Sequence, residues 1–102
     1  MIHKDFIKLV EEIQTHQRQV LLAKNEEYAS NNDKLANFKK GAKALGVSPE
    51  QCLWGYLMKH IISCQDIVNG DGAYTPELLR EKAGDIRNYL ILLEALMIER
   101  HT

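Results

Sequence analysis

Apolar residues recur three and four positions apart along most of the chain, which is the spacing of a helix face rather than of a strand. The pattern predicts four helices, which run over about Lys4–Ala29, Asp33–Leu45, Pro49–Val68 and Pro76–Arg100. Three of these helices are long and the second is short. We therefore expect an all-α fold, a four-helix bundle in which residues 1–102 form a single domain.

Residues that cap helices mark the predicted boundaries. Ser48 and Gln51 form a capping box at the start of the third helix, with a proline at its first position. Thr75, also followed by a proline, begins the fourth helix by the same logic. For the second helix, Asp33 is the predicted N-cap, and Gly46 suits the left-handed position that follows a helix.

The third and fourth helices are apolar on more than one face. Their predicted buried edges are Leu53, Leu57, Ile61, Cys64 and Val68 in the third helix, and Leu79, Ala83, Ile86, Leu90, Leu93 and Met97 in the fourth. Other apolar residues flank the edge of the third helix: Trp54, Tyr56, Met58 and Ile62. A helix that is apolar most of the way round needs neighbours on several sides. We therefore expect a homo-oligomer, most simply a two-fold dimer, with a tightly wrapped monomer as the alternative.

Charge balance and the length of apolar runs argue against two classes of protein. Lys and Arg number 13 against 14 Asp and Glu, so the chain lacks the basic excess of proteins that bind nucleic acid through bulk electrostatics. The longest apolar stretch, Tyr89 to Leu93, falls far short of the roughly 20 residues that span a bilayer. Cys52 and Cys64 lie about 18 Å apart along one helix, too far to form a disulfide. A cytoplasmic protein with reduced thiols is expected.

The candidate chemistry is acidic. The sequence has no glycine-rich phosphate loop after a strand, no GxSxG motif and no histidine–cysteine cluster with zinc spacing. Glu81, Asp85 and Asn88 fall at positions i, i+4 and i+7 of the fourth helix, so they share a face beside its apolar edge. Two carboxylates and an amide suit a hard cation such as Mg²⁺, which retains waters for a phosphate. The alternative is an exposed, solvated acidic face.

A second acidic position lies near the end of the first helix. Glu27 shares a face with Lys24, and this face continues the apolar stripe of the helix. Antiparallel packing of the first and fourth helices would bring Glu27 and Glu81 together. A solvated Lys24–Glu27 pair is the alternative.

Aromatic and histidine side chains in the third helix have two interpretations each. Trp54 and Tyr56 suit stacking on a nucleic base, but aromatic residues in an apolar helix more often belong to a core or an interface. His60 lies in the middle of the apolar region, where a packed or hydrogen-bonded structural histidine is expected, although a catalytic pairing with a cysteine stays open.

Five segments together resemble a known family. They are Lys24–Tyr28, Leu35–Phe38, Gly46–Gln51, Lys59–His60 and Asp85–Tyr89. In order and in spacing they resemble small phage and prophage proteins related to the MazG-like all-α nucleotide pyrophosphatases, and they look closest to the branch called nucleotide-modification-associated domain 1. The likeness extends from about Val20 to Leu96.

The resemblance implies a MazG-like helical bundle, usually oligomeric, that binds a nucleoside phosphate through Mg²⁺. Carried over by position, it implies Glu27, Glu81 and Asp85 as metal ligands. It implies Lys24 and Lys59 as contacts to the phosphates, Asn37 and Phe38 at the border of a base or ribose pocket, and Asn88 and Tyr89 near the ligand.

The acidic motifs depart from the pattern of the catalytic families, which carry ExxE on one helix and ExxD on another. Lys24 stands where the first glutamate is expected, and Lys82 stands three positions before Asp85, with Glu81 displaced by one. The sequence therefore leaves two functions open. One is a Mg²⁺-dependent hydrolase that converts a nucleoside triphosphate to the monophosphate and pyrophosphate. The other is a non-enzymatic phage accessory protein, which sequesters a nucleotide or binds another protein through apolar helix surface.

Overall fold

The computed structural model describes residues 1–27, 33, 35–70 and 73–102, and among these it describes all side chains except those of 23–27. Within these residues the elements are α1 (His3–Glu27), α2 (Ala36–Leu45), α3 (Pro49–Val68) and α4 (Pro76–Arg100), with no strand. The all-α prediction is therefore confirmed for this part of the chain. The residues form two compact units, Met1–Asn32 and Asp33–Thr102. A single domain over 1–102 stays a prediction.

The predicted starts of α3 and α4 are confirmed. Ser48 Oγ accepts a hydrogen bond from the Gln51 amide at 3.1 Å, and Gln51 Oε1 accepts one from the Ser48 amide at 2.9 Å. Thr75 Oγ1 accepts from the amide of Leu78 at 3.1 Å. At the end of α2, Gly46 has φ +71°, a left-handed conformation that favours glycine.

The prediction that Asp33 caps α2 is wrong by position. The helix begins at Ala36, and Leu35 stands at the cap position without a capping side chain. Asp33 forms a turn ahead of the helix, because its Oδ1 accepts from the Leu35 amide at 3.0 Å and its carbonyl from Ala36 at 3.2 Å. Leu35 is buried in the core, so this turn serves to direct a leucine inward.

The sequence also predicts that Asn69–Gly72 ends the third helix. Asn69 is indeed the C-cap of α3, and Gly70 has φ +78°. Residues 71–72, and the break predicted at 30–32, lie outside the described residues.

Leucines of α3 and α4 form the centre of unit Asp33–Thr102. Leu53 and Leu57 are fully buried, and they pack in one cluster with Leu96 of α4 and with Leu35. Partly buried residues surround the cluster: Phe38, Ile61, Ile86, Tyr89, Leu92, Leu93 and Ala95.

Three residues that were predicted at buried edges lie outside the core. Val68 is 78% exposed, and Leu90 and Met97 are also exposed. Val68 is the last residue of α3. In α4 the buried side is centred on Leu96 and Tyr89, about a quarter turn from the predicted stripe.

Ion pairs between α3 and α4 show that these helices run antiparallel. Arg100 Nη1 lies 3.5 Å from Glu50 Oε2, whereas His60 Nδ1 lies 3.4 Å from Asp85 Oδ2. A later position in α3 therefore meets an earlier position in α4. The pairing joins the first turn of α3 to the last turn of α4, where a carboxylate and a cation also suit the helix dipoles.

Lys39 connects α2 to the last turn of α4. Its Nζ lies 2.7 Å from Asp33 Oδ2 and also pairs with Glu99. The hydrogen bond from Lys39 lowers the pKa of Asp33 below its usual value, and the bonds to Asp33 and then Glu99 raise the pKa of Lys39. Both partners keep their charges at neutral pH, so this exposed cluster orients α2 while adding little to stability.

α1 forms unit Met1–Asn32 and has one half-buried stripe. The sequence predicts a stripe that includes Phe6, Val10, Ile13 and Gln17, at spacings of three and four. Val10, Ile13 and Gln17 are half-buried as this predicts, but Phe6 is exposed. Neither this helix nor the other described ones contains a segment with the length and apolarity needed to cross a membrane.

α2 and α3 approach closely at Gly41. A β-carbon built on Gly41 would stand 2.8 Å from the sulfur of Cys52, a buried side chain with a single rotatable bond. The two cysteines are free, as predicted. The glycine therefore allows α2 and α3 to lie closer together than an alanine at this position would.

We expect Gly41→Ala to destabilise the protein, although alanine is the better helix former. The overlap with Cys52 costs about 1–3 kcal/mol, against a gain of up to about 1 kcal/mol in helix propensity. Gly55→Ala is the matched control, because a β-carbon at that position would have nothing within 4 Å, and it should gain about 0.5–1 kcal/mol. Urea unfolding measures both. Equal stabilisation by the two substitutions would contradict the close approach.

Candidate functional site

Three aromatic rings from three helices meet in unit Asp33–Thr102. Phe38 of α2 presents an edge-to-face contact to Tyr56 of α3 at 6.1 Å between ring centroids, and another to Tyr89 of α4 at 6.2 Å. The rings of Tyr56 and Tyr89 are parallel within 6°, with centroids 6.4 Å apart. Each arrangement is a favourable one for aromatic pairs, so the three rings hold one another in place.

A histidine and a carboxylate border the rings. His60 stacks on Tyr89 with centroids 5.0 Å apart, and its Nδ1 faces Asp85 Oδ2. Helical spacing explains the grouping, because Tyr56 and His60 are one turn apart on α3, as are Asp85 and Tyr89 on α4. We call Phe38, Tyr56, His60, Asp85 and Tyr89 the aromatic site.

Asp85 and Tyr89 also interact electrostatically. Burial raises the pKa of Tyr89 above its usual value of 10.0, and the charge of Asp85 and then Tyr56 add to the effect. The phenol of Tyr89 therefore keeps its proton at neutral pH. It offers a hydrogen-bond donor beside a carboxylate acceptor, at the edge of an apolar aromatic surface.

The three aromatic rings differ in their exposure to solvent. Tyr56 is 53% exposed, whereas Phe38 and Tyr89 are half-buried. The site is consequently an open surface with one accessible ring rather than an enclosed pocket. A planar apolar group bound there would contact Tyr56 without displacing the residues behind it.

The predicted residues of α4 differ in their surroundings. Asp85 and Asn88 are half-buried, and Glu81 is exposed. Asn88 Oδ1 is buried and has no hydrogen-bond partner among the residues that the structure describes, and the same holds for Arg87 Nε. A buried acceptor without a partner is unusual in a folded protein, because its desolvation is not offset by a hydrogen bond.

The remaining predicted residues are placed in part. Phe38 belongs to the aromatic site, while Asn37 and Lys59 are exposed on α2 and α3. The side chains of Lys24 and Glu27 lie outside the described residues. Whether Glu27 joins Glu81 and Asp85 therefore stays a prediction. Among the side chains that are described, no three histidine, cysteine or acidic groups are placed to hold a metal ion together.

The family resemblance implied Phe38, Asp85 and Tyr89 at the ligand site, whereas the sequence left base stacking open for Tyr56 and a catalytic pairing open for His60. For these two it favoured a structural role, and His60 is indeed packed against Tyr89. The available signal was the spacing of four between Tyr56 and His60, which matches that between Asp85 and Tyr89. The sequence does not show which turn of α3 lies opposite which turn of α4, so these two pairs could not be placed together.

Comparisons of this chain with protein-family models, curated proteins and solved structures gave no match. The resemblance to MazG-like proteins consequently rests on the segments of the sequence alone.

We expect Phe38→Leu to destabilise the protein by about 1–3 kcal/mol, because leucine retains most of the apolar burial but loses two aromatic pairs. Phe6→Leu is the control: Phe6 is exposed and has no ring contact within the described part of the chain. It should change stability by less than about 0.5 kcal/mol. Urea unfolding followed by circular dichroism measures both variants. An unchanged stability in Phe38→Leu would show that the rings do not support one another.

Proposed function

We propose that this protein binds a nucleoside phosphate at the aromatic site. The observation that carries the proposal is the meeting of three aromatic rings with a carboxylate and a histidine at one surface. Aromatic faces bind the planar base, while polar groups at their edge fix its orientation. The resemblance of the sequence to nucleotide pyrophosphatases supports the same class of ligand.

Asp85 belongs to the aromatic site and is also a proposed ligand of the Mg²⁺ ion that would bind the phosphates. Together with Glu81 one turn earlier, it would supply oxygen ligands to Mg²⁺. The described residues fit a magnesium ion that is completed by the ligand: Mg²⁺ commonly uses one or two carboxylates, several waters and substrate phosphates. Asp85 and Glu81 are accessible enough to serve in this way. Bound there, the ion would neutralise phosphate charge.

Other polar side chains suit the same ligand. Lys59 is exposed one position before His60, and it is the proposed phosphate contact in this unit. Asn88 and Asn37 are the proposed amide contacts.

Hydrolysis is the enzymatic form of this proposal. Water would attack the α-phosphorus of a nucleoside triphosphate, and the products would be the monophosphate and pyrophosphate. The lysines at positions 24 and 82 reduce the number of carboxylates relative to the catalytic families. Binding without turnover is therefore the form that the sequence supports better.

We expect deoxynucleoside triphosphates to raise the melting temperature with Mg²⁺ and to raise it less with EDTA. A ligand at about 100 times its Kd adds about 2.7 kcal/mol, which corresponds to several degrees in a domain of this size. Asp85→Asn should abolish the difference between Mg²⁺ and EDTA. Glu94→Gln is the control, since Glu94 is an exposed carboxylate on the opposite face of α4.

The melting experiment tests both nucleotide binding and the role of Asp85. Absence of a shift with every nucleotide would contradict the proposal, and an Asp85→Asn variant that retains the full Mg²⁺ dependence would remove Asp85 from the metal site. Release of pyrophosphate by the wild type, but not by Asp85→Asn, would identify an enzyme rather than a binding protein.

Apolar side chains at the surface favour a second candidate, association with another protein through α3 and α4. Trp54, Met58 and Ile62 recur every four residues on α3 and are all exposed. α4 carries an open apolar groove of about 590 Å³, lined by Leu90, Leu93, Glu94, Met97, Ile98, His101 and Thr102. Exposed apolar surface of this extent is typical of interfaces. A second copy of this chain is the proposed partner, because the stripe carries no charge that would repel itself.

We expect the wild type to form an assembly larger than 11.7 kDa, and Ile62→Glu to dissociate it by placing a charge in the apolar stripe. Ala44→Glu is the control, because it adds the same charge at an exposed position of α2 outside the stripe. Light scattering after size-exclusion chromatography measures the mass. A wild-type mass of 11.7 kDa at every concentration would contradict self-association.

A further inference from the structure

We infer that Tyr56 is the residue on which the base of the bound nucleotide stacks. This inference rests on the proposed function and extends it to a residue that the family resemblance does not assign. Phe38 and Tyr89, which the resemblance does assign, act behind Tyr56 as the packing that holds its ring. The ligand class follows from this arrangement: a planar heterocycle recognised by its face, carrying a phosphate chain.

Exposure is the first argument for Tyr56. Within the aromatic site, Phe38 and Tyr89 are half-buried and contact other rings, whereas Tyr56 is 53% exposed. Stacking on a base requires accessible ring surface, and Tyr56 is the most exposed ring of the aromatic site.

Packing is the second argument. The ring of Tyr56 meets an edge-to-face contact from Phe38 and lies parallel to Tyr89. A side chain that is already fixed loses little conformational entropy when a ligand binds, so the stacking free energy is retained as affinity. An exposed tyrosine without such contacts would lose more conformational entropy when a ligand binds.

Position is the third argument, and Trp54 shows its importance. Trp54 is 49% exposed on the same helix, but two residues correspond to about 200° of rotation, so it lies on the far face of α3. Tyr56 instead lies one turn from His60, whose imidazole faces Asp85. A base on Tyr56 would therefore have polar groups near its edge, and a base on Trp54 would not have these.

Stacking on Tyr56 predicts how the site selects ligands. Every base has a π-face, so a stacking residue contributes to the binding of all four and discriminates little among them. The removal of Tyr56 should consequently lower the affinity for dATP, dGTP, dCTP and dTTP to a similar degree. It should not change the affinity for a ligand that lacks a base.

Calorimetric titration of dATP and of inorganic tripolyphosphate, with Mg²⁺, tests the inference. In Tyr56→Ala we expect the Kd of dATP to rise by about 5- to 150-fold, the effect of losing one base–aromatic stack. The Kd of tripolyphosphate should be unchanged. Tyr56→Phe should bind dATP within about twofold of the wild type, because the ring face remains. Tyr74→Ala is the matched control, a tyrosine of similar exposure (55%) outside the aromatic site.

Proton NMR provides a readout that does not depend on a stable alanine variant. Addition of dATP to the wild type should move the Tyr56 ring resonances upfield through the ring current of the base, and Tyr56→Phe identifies these resonances by their loss. A Kd for dATP that is the same in Tyr56→Ala, an equal loss for dATP and tripolyphosphate, or unmoved Tyr56 resonances would each overturn the inference.

Failure of the inference and failure of the proposed function give different results. Tight dATP binding without any effect at Tyr56 would leave the proposed function standing and remove Tyr56. If the wild type binds no triphosphate, the proposed function fails, and titration with adenosine decides Tyr56 separately. An upfield shift of its ring with adenosine would support base stacking, and no shift would overturn it.

Discussion

The burial of Leu53 and Leu57 of α3 against Leu96 of α4 is the contact on which unit Asp33–Thr102 depends. Each fully buried leucine contributes about 1.5–3 kcal/mol relative to an exposed one, so this cluster is the largest local source of stability. It also sets how far α3 is displaced along α4. That displacement places His60 opposite Asp85, so the packing of the core and the geometry of the aromatic site have a common origin.

Few of the described residues of this unit are fully withdrawn from water. The buried apolar ones among them are Leu35, Ala42, Cys52, Leu53, Leu57 and Leu96, while large apolar side chains on both α3 and α4 remain exposed. A core of this size leaves a small margin of stability. Whatever binds the folded form therefore has a large relative effect, because binding adds its free energy to that margin. Both proposed functions, nucleotide binding and self-association, would stabilise the fold in this way.

Local signals in the sequence predicted the helices well, and contacts between helices were predicted less well. The starts at Ser48 and Thr75 and the end at Gly46 depend on residues within four positions, so the sequence was sufficient. Leu90 and Met97 were placed at a buried edge because α4 is apolar on several sides, and periodicity alone does not distinguish the side that meets α3. For Tyr56 the sequence left base stacking and packing as alternatives, because the neighbours of its ring come from α2 and α4.

The aromatic site and the proposed acidic metal ligands differ in how completely the chain supplies them. All five residues of the aromatic site lie in unit Asp33–Thr102, and each contacts at least one other through a ring or an ion pair. The proposed metal ligands of α4, Glu81 and Asp85, lie in the same unit. The proposed recognition of the base would need only α2, α3 and α4. Because the aromatic half is complete within one unit, a nucleotide would retain affinity through its base even where the acidic set is reduced by the lysines at positions 24 and 82. Loss of carboxylates would then remove turnover before it removed binding, which is why we propose a nucleotide-binding protein ahead of a hydrolase.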